Sequence, residues 1–175
     1  MTNNITNEEK GIGIFKVIAI VGFVLYSTMA ALELFDITFR LLPWLSVLAI
    51  IVAGCGYIGI YTRTKDIFDA VICGSLITSA VLLLASSNVS YPGITKLVLD
   101  FVTYAFYLFM MLKEIPKKRA SLAVMTCGMF FLVMLISIIG VVNSYYPFTT
   151  TMLHIVSDIS YVLGGVVGII YTSRQ

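Results

Sequence analysis

Long runs of apolar residues, separated by short polar connections, fill almost the whole chain. A bilayer core about 30 Å thick needs roughly 20 apolar residues per helix, and six stretches reach that length. They are Val17–Leu34, Leu41–Tyr61, Ile67–Ser86, Ile94–Leu112, Ala120–Val142 and Thr149–Tyr171. None alternates between apolar and polar residues as a barrel strand would, and backbone groups in lipid must be paired. The pattern therefore predicts an all-α integral membrane protein with six transmembrane helices.

Composition excludes the main alternatives to a membrane protein. The 175 residues are 59% hydrophobic and 11% charged, against about 45–50% and about 25% in soluble domains. The composition also excludes a disordered tail and a disulfide-stapled secreted protein, because each of these classes has a different composition. We expect residues 1–10 to form a cytoplasmic tail and 11–175 to form one transmembrane domain. The lipid bilayer is the expected partner, and the net charge of +2 gives no reason to expect nucleic acid.

Basic residues predict the orientation of the chain. Nine of them fall on one side of a six-span arrangement: Lys10, Lys16, Arg63, Lys65, Lys113, Lys117, Lys118, Arg119 and Arg174. Only Arg40 and Lys96 fall on the other side. Because basic loops stay in the cytoplasm, we expect both termini to be cytoplasmic in a multi-pass protein of the plasma (cell inner) membrane.

The six stretches also suggest a threefold internal repeat of helical hairpins, over 11–63, 64–117 and 118–175. Each hairpin has a glycine in its first helix and a proline near its outer turn. The glycines are Gly22, Gly74 and Gly128, and the prolines are Pro43, Pro92 and Pro147. Parallel repeats of this kind occur in some transporters and in inert scaffolds alike.

These glycine and proline positions, together with the segment Leu163–Ile170 (LGGVVGII), resemble the HdeD-type acid-resistance membrane proteins. The resemblance covers most of the chain and rests on Gly and Pro in apolar sequence. It implies a stress-linked inner-membrane protein of six spans, without catalytic residues to carry over. The intramembrane carboxylates are not part of that pattern.

Acidic residues at membrane depth are the strongest indication of function, because a charge at the centre of a span costs about 2.5–3.5 kcal/mol. Asp158 and Asp100 lie inside the sixth and fourth stretches, and Glu33 closes the first on the same side. The titratable His154 lies four positions before Asp158, and the cationic Lys96 lies four positions before Asp100. Each aspartate is followed three positions later by a residue with a hydroxyl group. The two helix faces are His154-Asp158-Tyr161-Gly165-Gly168 and Lys96-Asp100-Thr103-Tyr107. Such a face is expected to point into the bundle.

Two interpretations of these faces stay open. In the first, Lys96–Asp100 and His154–Asp158 are i,i+4 pairs that neutralise each other and hold helices together. In the second, Asp158, Asp100 and Glu33 line a water-accessible cavity open to the outside, with His154 titrating nearby. Asp69, close to Arg63 and Lys65 in the sequence, is expected to be a boundary residue that pairs locally.

Small residues indicate where helices touch. Gly164 and Gly168, and likewise Ala49 and Ala53, are spaced by four and allow close backbone approach, more often within one chain than between copies. The three cysteines lie inside the spans and predict buried packing rather than disulfides. With one histidine and no thiolate pair, we expect no metal site and no cofactor.

No nucleophile, metal motif or nucleotide-binding loop is present, so we do not expect an enzyme. The leading hypothesis is a protein that binds or conducts a small solute or cation through an outward-facing acidic intramembrane site. Its residues would be Asp158, Asp100, His154, Lys96, Glu33 and Tyr161. The alternative is a non-transporting accessory, stress-response or toxin-immunity protein that acts through a membrane protein partner. Association of the chain with itself is also left open.

Overall fold

The computed structural model describes residues 2–37, 39–88, 93–113, 120–145 and 150–174. Within its helices, the side chains of residues 2–10, 85–88, 93–96, 120 and 150–154 lie outside that description. The described residues form six α-helices. They are α1 (Thr2–Leu34), α2 (Leu42–Thr64), α3 (Ile67–Asn88), α4 (Gly93–Lys113), α5 (Ala120–Tyr145) and α6 (Thr150–Ser173).

Local sequence explains the ends of the first two helices. Asp36 adopts the left-handed conformation (φ 56°) after α1, and the amide of Ile37 donates to the carbonyl of Leu32 at 2.9 Å. This is a Schellman ending, in which a short Asp side chain tolerates positive φ. Pro43 occupies the first turn of α2, where no amide donor is needed. Lys65 ends α2 in the left-handed region and donates its amide to the carbonyl of Tyr61.

The six helices form a closed ring. Each helix packs against its neighbours in the chain, and α6 packs against α1. The α3–α4 contact is the least extensive of the six. Because successive helices run in opposite directions, Glu33, Asp100 and Asp158 lie at one end of the ring, called here the Glu33 end. Asp69 lies towards the opposite end, called the Asp69 end.

Glycine and alanine bring α1, α2 and α6 together along their backbones. A Cβ added to Gly22 would meet the backbone of Ala53, with Ala53 Cα at 2.7 Å, and one added to Gly56 would meet Ala19 in the same way. A Cβ on Gly168 would lie 2.5–2.6 Å from the ring of Phe23. Residues as small as glycine and alanine permit such a close approach of helices.

The distribution of apolar and polar side chains is that of a membrane protein. Large apolar side chains cover the outside of the ring on every helix; Phe106 and Phe109 of α4, for example, are 59% and 64% exposed. Several hydroxyl side chains are instead buried, among them Ser75, Thr126 and Ser160. Each of these three donates to a carbonyl of its own helix, which satisfies the hydroxyl away from water.

The all-helical prediction is confirmed for the described residues, which contain six helices and no strand. Five segments in that part of the chain are long and apolar enough to cross a bilayer. They are Gly11–Leu34, Leu42–Thr64, Ile67–Leu84, Ser121–Tyr145 and Ile155–Ser173. These apolar helices indicate a multi-pass membrane protein. The side chains of α4 are described only from residue 97, too short a part for this comparison, so its span stays a prediction. The backbone of 2–10 is helical and belongs to α1, and its cytoplasmic location stays a prediction.

Candidate functional site

Two adjoining cavities, called here chambers, lie inside the ring and share part of their walls. The chamber at the Glu33 end, called here the acidic chamber, has a volume of about 180 Å³. The second, called the hydroxyl chamber, has a volume of about 140 Å³ and lies deeper, towards the Asp69 end. All six helices contribute side chains to each chamber, so both lie inside the ring.

Six residues, one from each helix, line both chambers and form the collar between them. The collar consists of Tyr26, Ile50, Ser79, Tyr104, Val133 and Tyr161. Three members are tyrosines, carried by α1, α4 and α6. The collar therefore combines aromatic faces with hydroxyl groups where the two chambers adjoin.

Three contacts position the collar tyrosines. The hydroxyls of Tyr104 and Ser79 are joined by a hydrogen bond of 2.6 Å, which links α4 to α3. The rings of Tyr26 and Tyr161 meet edge to face, with centroids 6.3 Å apart, and link α1 to α6. Phe130 of α5 supports the Tyr104 ring from 5.6 Å. Each tyrosine thus has a packing partner on a neighbouring helix.

Glu33 and Asp100 are the charged side chains in the described wall of the acidic chamber. Glu33 is at the last turn of α1 and Asp100 is two turns into α4. The rest of the wall is mostly apolar, with the aromatic ring of Trp44 and the aliphatic side chains of Val47 and Leu83 among its members. This arrangement places two carboxylates in an apolar, aromatic-walled space.

The hydroxyl chamber has a different chemistry. Among its described lining residues none is charged, and its polar groups are hydroxyls, including those of Tyr57 and Tyr171. The hydroxyls of Tyr57 and Thr172 are 2.8 Å apart and join α2 to α6 on the far side of this chamber. The side chains of Tyr57 and Thr172 are fully buried. The cavity therefore changes from acidic to neutral across the collar.

Three of the six predicted site residues meet at this cavity. Glu33, Asp100 and Tyr161 line the acidic chamber, which brings residues of α1, α4 and α6 together. Asp158 is half-buried and lies within electrostatic range of Glu33, but it is not among the described lining residues of either chamber. The side chains of Lys96 and His154 lie outside the described residues.

The four predicted packing residues differ in their surroundings. Ala53 is fully buried against Gly22 of α1, and Ala49 is buried on the same helix. Gly168 contacts Phe23 of α1, whereas an added Cβ on Gly164 would meet only the Met129 side chain, at 3.7 Å. Gly165, rather than Gly164, is the second glycine held close to α1, against Ser27 and the carbonyl of Phe23.

Sequence reasoning missed three aromatic residues of the acidic chamber, Tyr26, Trp44 and Tyr104. Tyr104 follows Asp100 by four positions, so helical spacing alone could have placed both on one face. The face chosen from the sequence ran through Thr103 and Tyr107 instead. In the structure Tyr107 packs against α3, with its hydroxyl 2.9 Å from that of Thr78.

Asp69 is fully buried near the opposite end of the ring and accepts a hydrogen bond of 2.7 Å from the hydroxyl of Thr64. Its neighbour Lys65 places its ammonium group 5.6 Å from the centre of the Tyr61 ring. Within the described residues, no group of three or more His, Cys, Asp or Glu side chains is arranged to hold a metal ion.

No family model, curated protein or solved structure matches this chain at a significant level. The resemblance to the HdeD-type proteins is neither supported nor opposed by these comparisons and stays a prediction.

Proposed function

We propose that this chain is a six-span membrane protein that binds or conducts a small cationic solute through the acidic chamber. Glu33 and Asp100 are the groups that attract the positive charge. The protein acts by binding rather than by catalysis, and the hydroxyl chamber continues the path of the solute beyond the collar.

One observation carries this proposal: a cavity inside a closed helical ring holds two carboxylates in an apolar wall. Acidic side chains at membrane depth are costly and mark ion or substrate pathways. A site lined by helices of a bundle, with few polar groups in an apolar wall, is also the usual form of a small-molecule pocket. The described wall contains no basic side chain that would favour an anion.

The proposal includes the topology. α4 is the sixth span, because it closes the ring between α3 and α5 and presents Phe106 and Phe109 to the outside. Those of the predicted cytoplasmic basic residues that the structure describes lie towards the Asp69 end, so the Glu33 end faces outward. They are Lys16, Arg63, Lys65, Lys113 and Arg174. With this orientation in the plasma membrane, a solute reaches the acidic chamber from outside the cell.

Asp158 has a supporting part in the proposal. It lies within electrostatic range of Glu33, so its negative charge adds to the field at that end of the ring. Lys96 and His154, four residues before Asp100 and Asp158, keep their proposed role of tuning the charge of these acids.

Trp44 provides the experiment, because it is the only tryptophan of the chain and lines the acidic chamber. The purified protein in liposomes is titrated with sodium, ammonium and choline chloride while Trp44 emission is recorded. We expect at least one of these cations to produce a saturable change. Uptake of the same cations into the liposomes then separates conduction from binding.

The variants Glu33→Gln and Asp100→Asn are expected to weaken this response at least about tenfold, since each removes one charge partner of a buried cation. Asp36→Asn is the matched control. Asp36 lies at the same end but is exposed, and asparagine tolerates its left-handed backbone. A response that is equal in all three variants would overturn the site assignment.

A further inference from the structure

The aromatic side chains around the two carboxylates carry information about the kind of cation that fits. Trp44 and the collar residues Tyr26, Tyr104 and Tyr161 all line the acidic chamber with Glu33 and Asp100. Aromatic rings attract cations through the negative face of the π-system, and sets of such rings recognise alkylated ammonium groups. Carboxylates alone would attract any cation, whereas the rings favour an organic one.

The volume of the acidic chamber also favours an organic cation. A volume of about 180 Å³ exceeds the roughly 150 Å³ of an apolar cavity that holds benzene. A single metal ion would leave most of this space to water against apolar walls. An organic cation of several carbon atoms would fill the chamber and bury its alkyl groups against Val47, Ile50 and Leu83.

The carboxylates of the wall are too few for a hard metal ion. Calcium takes six to eight oxygen ligands, whereas the described wall holds two carboxylates, Glu33 and Asp100. Among the described residues there is no third acid, histidine or cysteine placed to complete a metal site.

We propose that the acidic chamber binds a small organic ammonium ion, whose charged head lies between Glu33, Asp100 and the tyrosine rings of the collar. This inference rests on the proposed function and specifies its substrate class. The neutral hydroxyl chamber beyond the collar accepts the uncharged part of a longer ligand.

The test compares three probes by calorimetric titration of the purified chain in detergent: choline, its uncharged carbon analogue 3,3-dimethyl-1-butanol, and sodium ion. We expect choline to bind at least about tenfold more tightly than the alcohol, because the alcohol has the same shape and no charge. Sodium is expected to give no saturable heat. Equal affinity for choline and the alcohol, or tighter binding of sodium, overturns the inference.

Ring variants test the aromatic part. Tyr104→Leu removes a cavity ring and is expected to weaken choline binding about tenfold, whereas Tyr104→Phe keeps the ring and is expected to keep the affinity. Tyr145→Leu is the matched control, because Tyr145 is 66% exposed on the outside of the ring. If Tyr104→Leu does not fold, Tyr161→Leu replaces it. Unchanged choline affinity in folded Tyr104→Leu, or in folded Tyr161→Leu where that variant replaces it, overturns the inference.

The outcomes also separate the inference from the proposed function. Saturable sodium binding that is lost in Glu33→Gln, without choline binding, supports the proposed function and overturns the organic cation. Absence of binding by all three probes overturns both.

Discussion

The two sides of the helical ring are held together by different means. On the side formed by α1, α2 and α6, called here the glycine side, backbones touch: Gly22 lies against the backbone of Ala53, and Gly56 against that of Ala19. On the side formed by α3, α4 and α5, called the tyrosine side, side chains bridge the helices. Tyr104 is hydrogen-bonded to Ser79 there, and Tyr107 to Thr78.

Because of this difference, the two walls of the cavity differ in how far they can adjust. A backbone contact cannot accommodate added atoms without moving a whole helix, whereas bridging side chains can change rotamer. Glu33 belongs to the glycine side and Asp100 to the tyrosine side. One carboxylate of the acidic chamber is therefore on the closely packed wall, and the other is on the wall that can adjust to an occupant.

The largest effect is expected where backbone meets backbone. Gly22→Ala places a methyl group against the backbone of Ala53 and forces α1 and α2 apart. Overpacking of this kind costs about 1–3 kcal/mol, which should appear as a lower free energy of unfolding in a denaturant titration in detergent. Gly128→Ala is the control from the tyrosine side, because nothing lies within 4 Å of its added Cβ.

Alanine has a better helix propensity than glycine by up to about 1 kcal/mol, so Gly128→Ala should leave stability unchanged or raise it. If the two variants destabilise the chain equally, the glycine side is not more closely packed than the tyrosine side.

A smaller effect is expected where a glycine meets a side chain. Gly168→Ala would place its Cβ 2.5–2.6 Å from the ring of Phe23, which can shift at a cost of about 1 kcal/mol. Gly164→Ala, on the same helix, meets only the end of Met129 at 3.7 Å and should be neutral. Thermal unfolding of the two variants side by side measures the difference. Equal midpoints would contradict the unequal packing of these two glycines.

Much of the fold could be predicted, because the lengths of the apolar stretches determine which segments form helices. Each run of about 20 apolar residues became a helix, and Pro43 marked the start of α2 as expected. The closed ring could not be predicted, because it depends on the packing of α6 against α1, which are far apart in the sequence. The backbone of the polar segment 2–10 continues α1, and its prediction as a cytoplasmic tail stays a prediction.

The site was predicted in part for a similar reason. The cost of burying charge drew attention to Glu33 and Asp100, which line one chamber, and their role in binding stays a prediction. Helical spacing places Asp100 on more than one candidate face of α4. The face through Thr103 was chosen, whereas the one that lines the chamber runs through Tyr104. Trp44 was not among the predicted site residues, because nothing in the sequence places the start of α2 beside Asp100.

The smallest effect is expected on the tyrosine side, from the hydrogen bond between Tyr104 and Ser79. Tyr104→Phe removes one hydroxyl but keeps the ring against Phe130. Polar pairs between membrane helices average about 0.6 kcal/mol, and Ser79 retains its bond to the carbonyl of Ser75. A double-mutant cycle with Ser79→Ala should therefore give a coupling free energy of about 0.5–1 kcal/mol. A coupling well above that range would mean that hydroxyl bridges hold the tyrosine side as firmly as backbone contact holds the glycine side, and the two walls of the cavity would then be equally fixed.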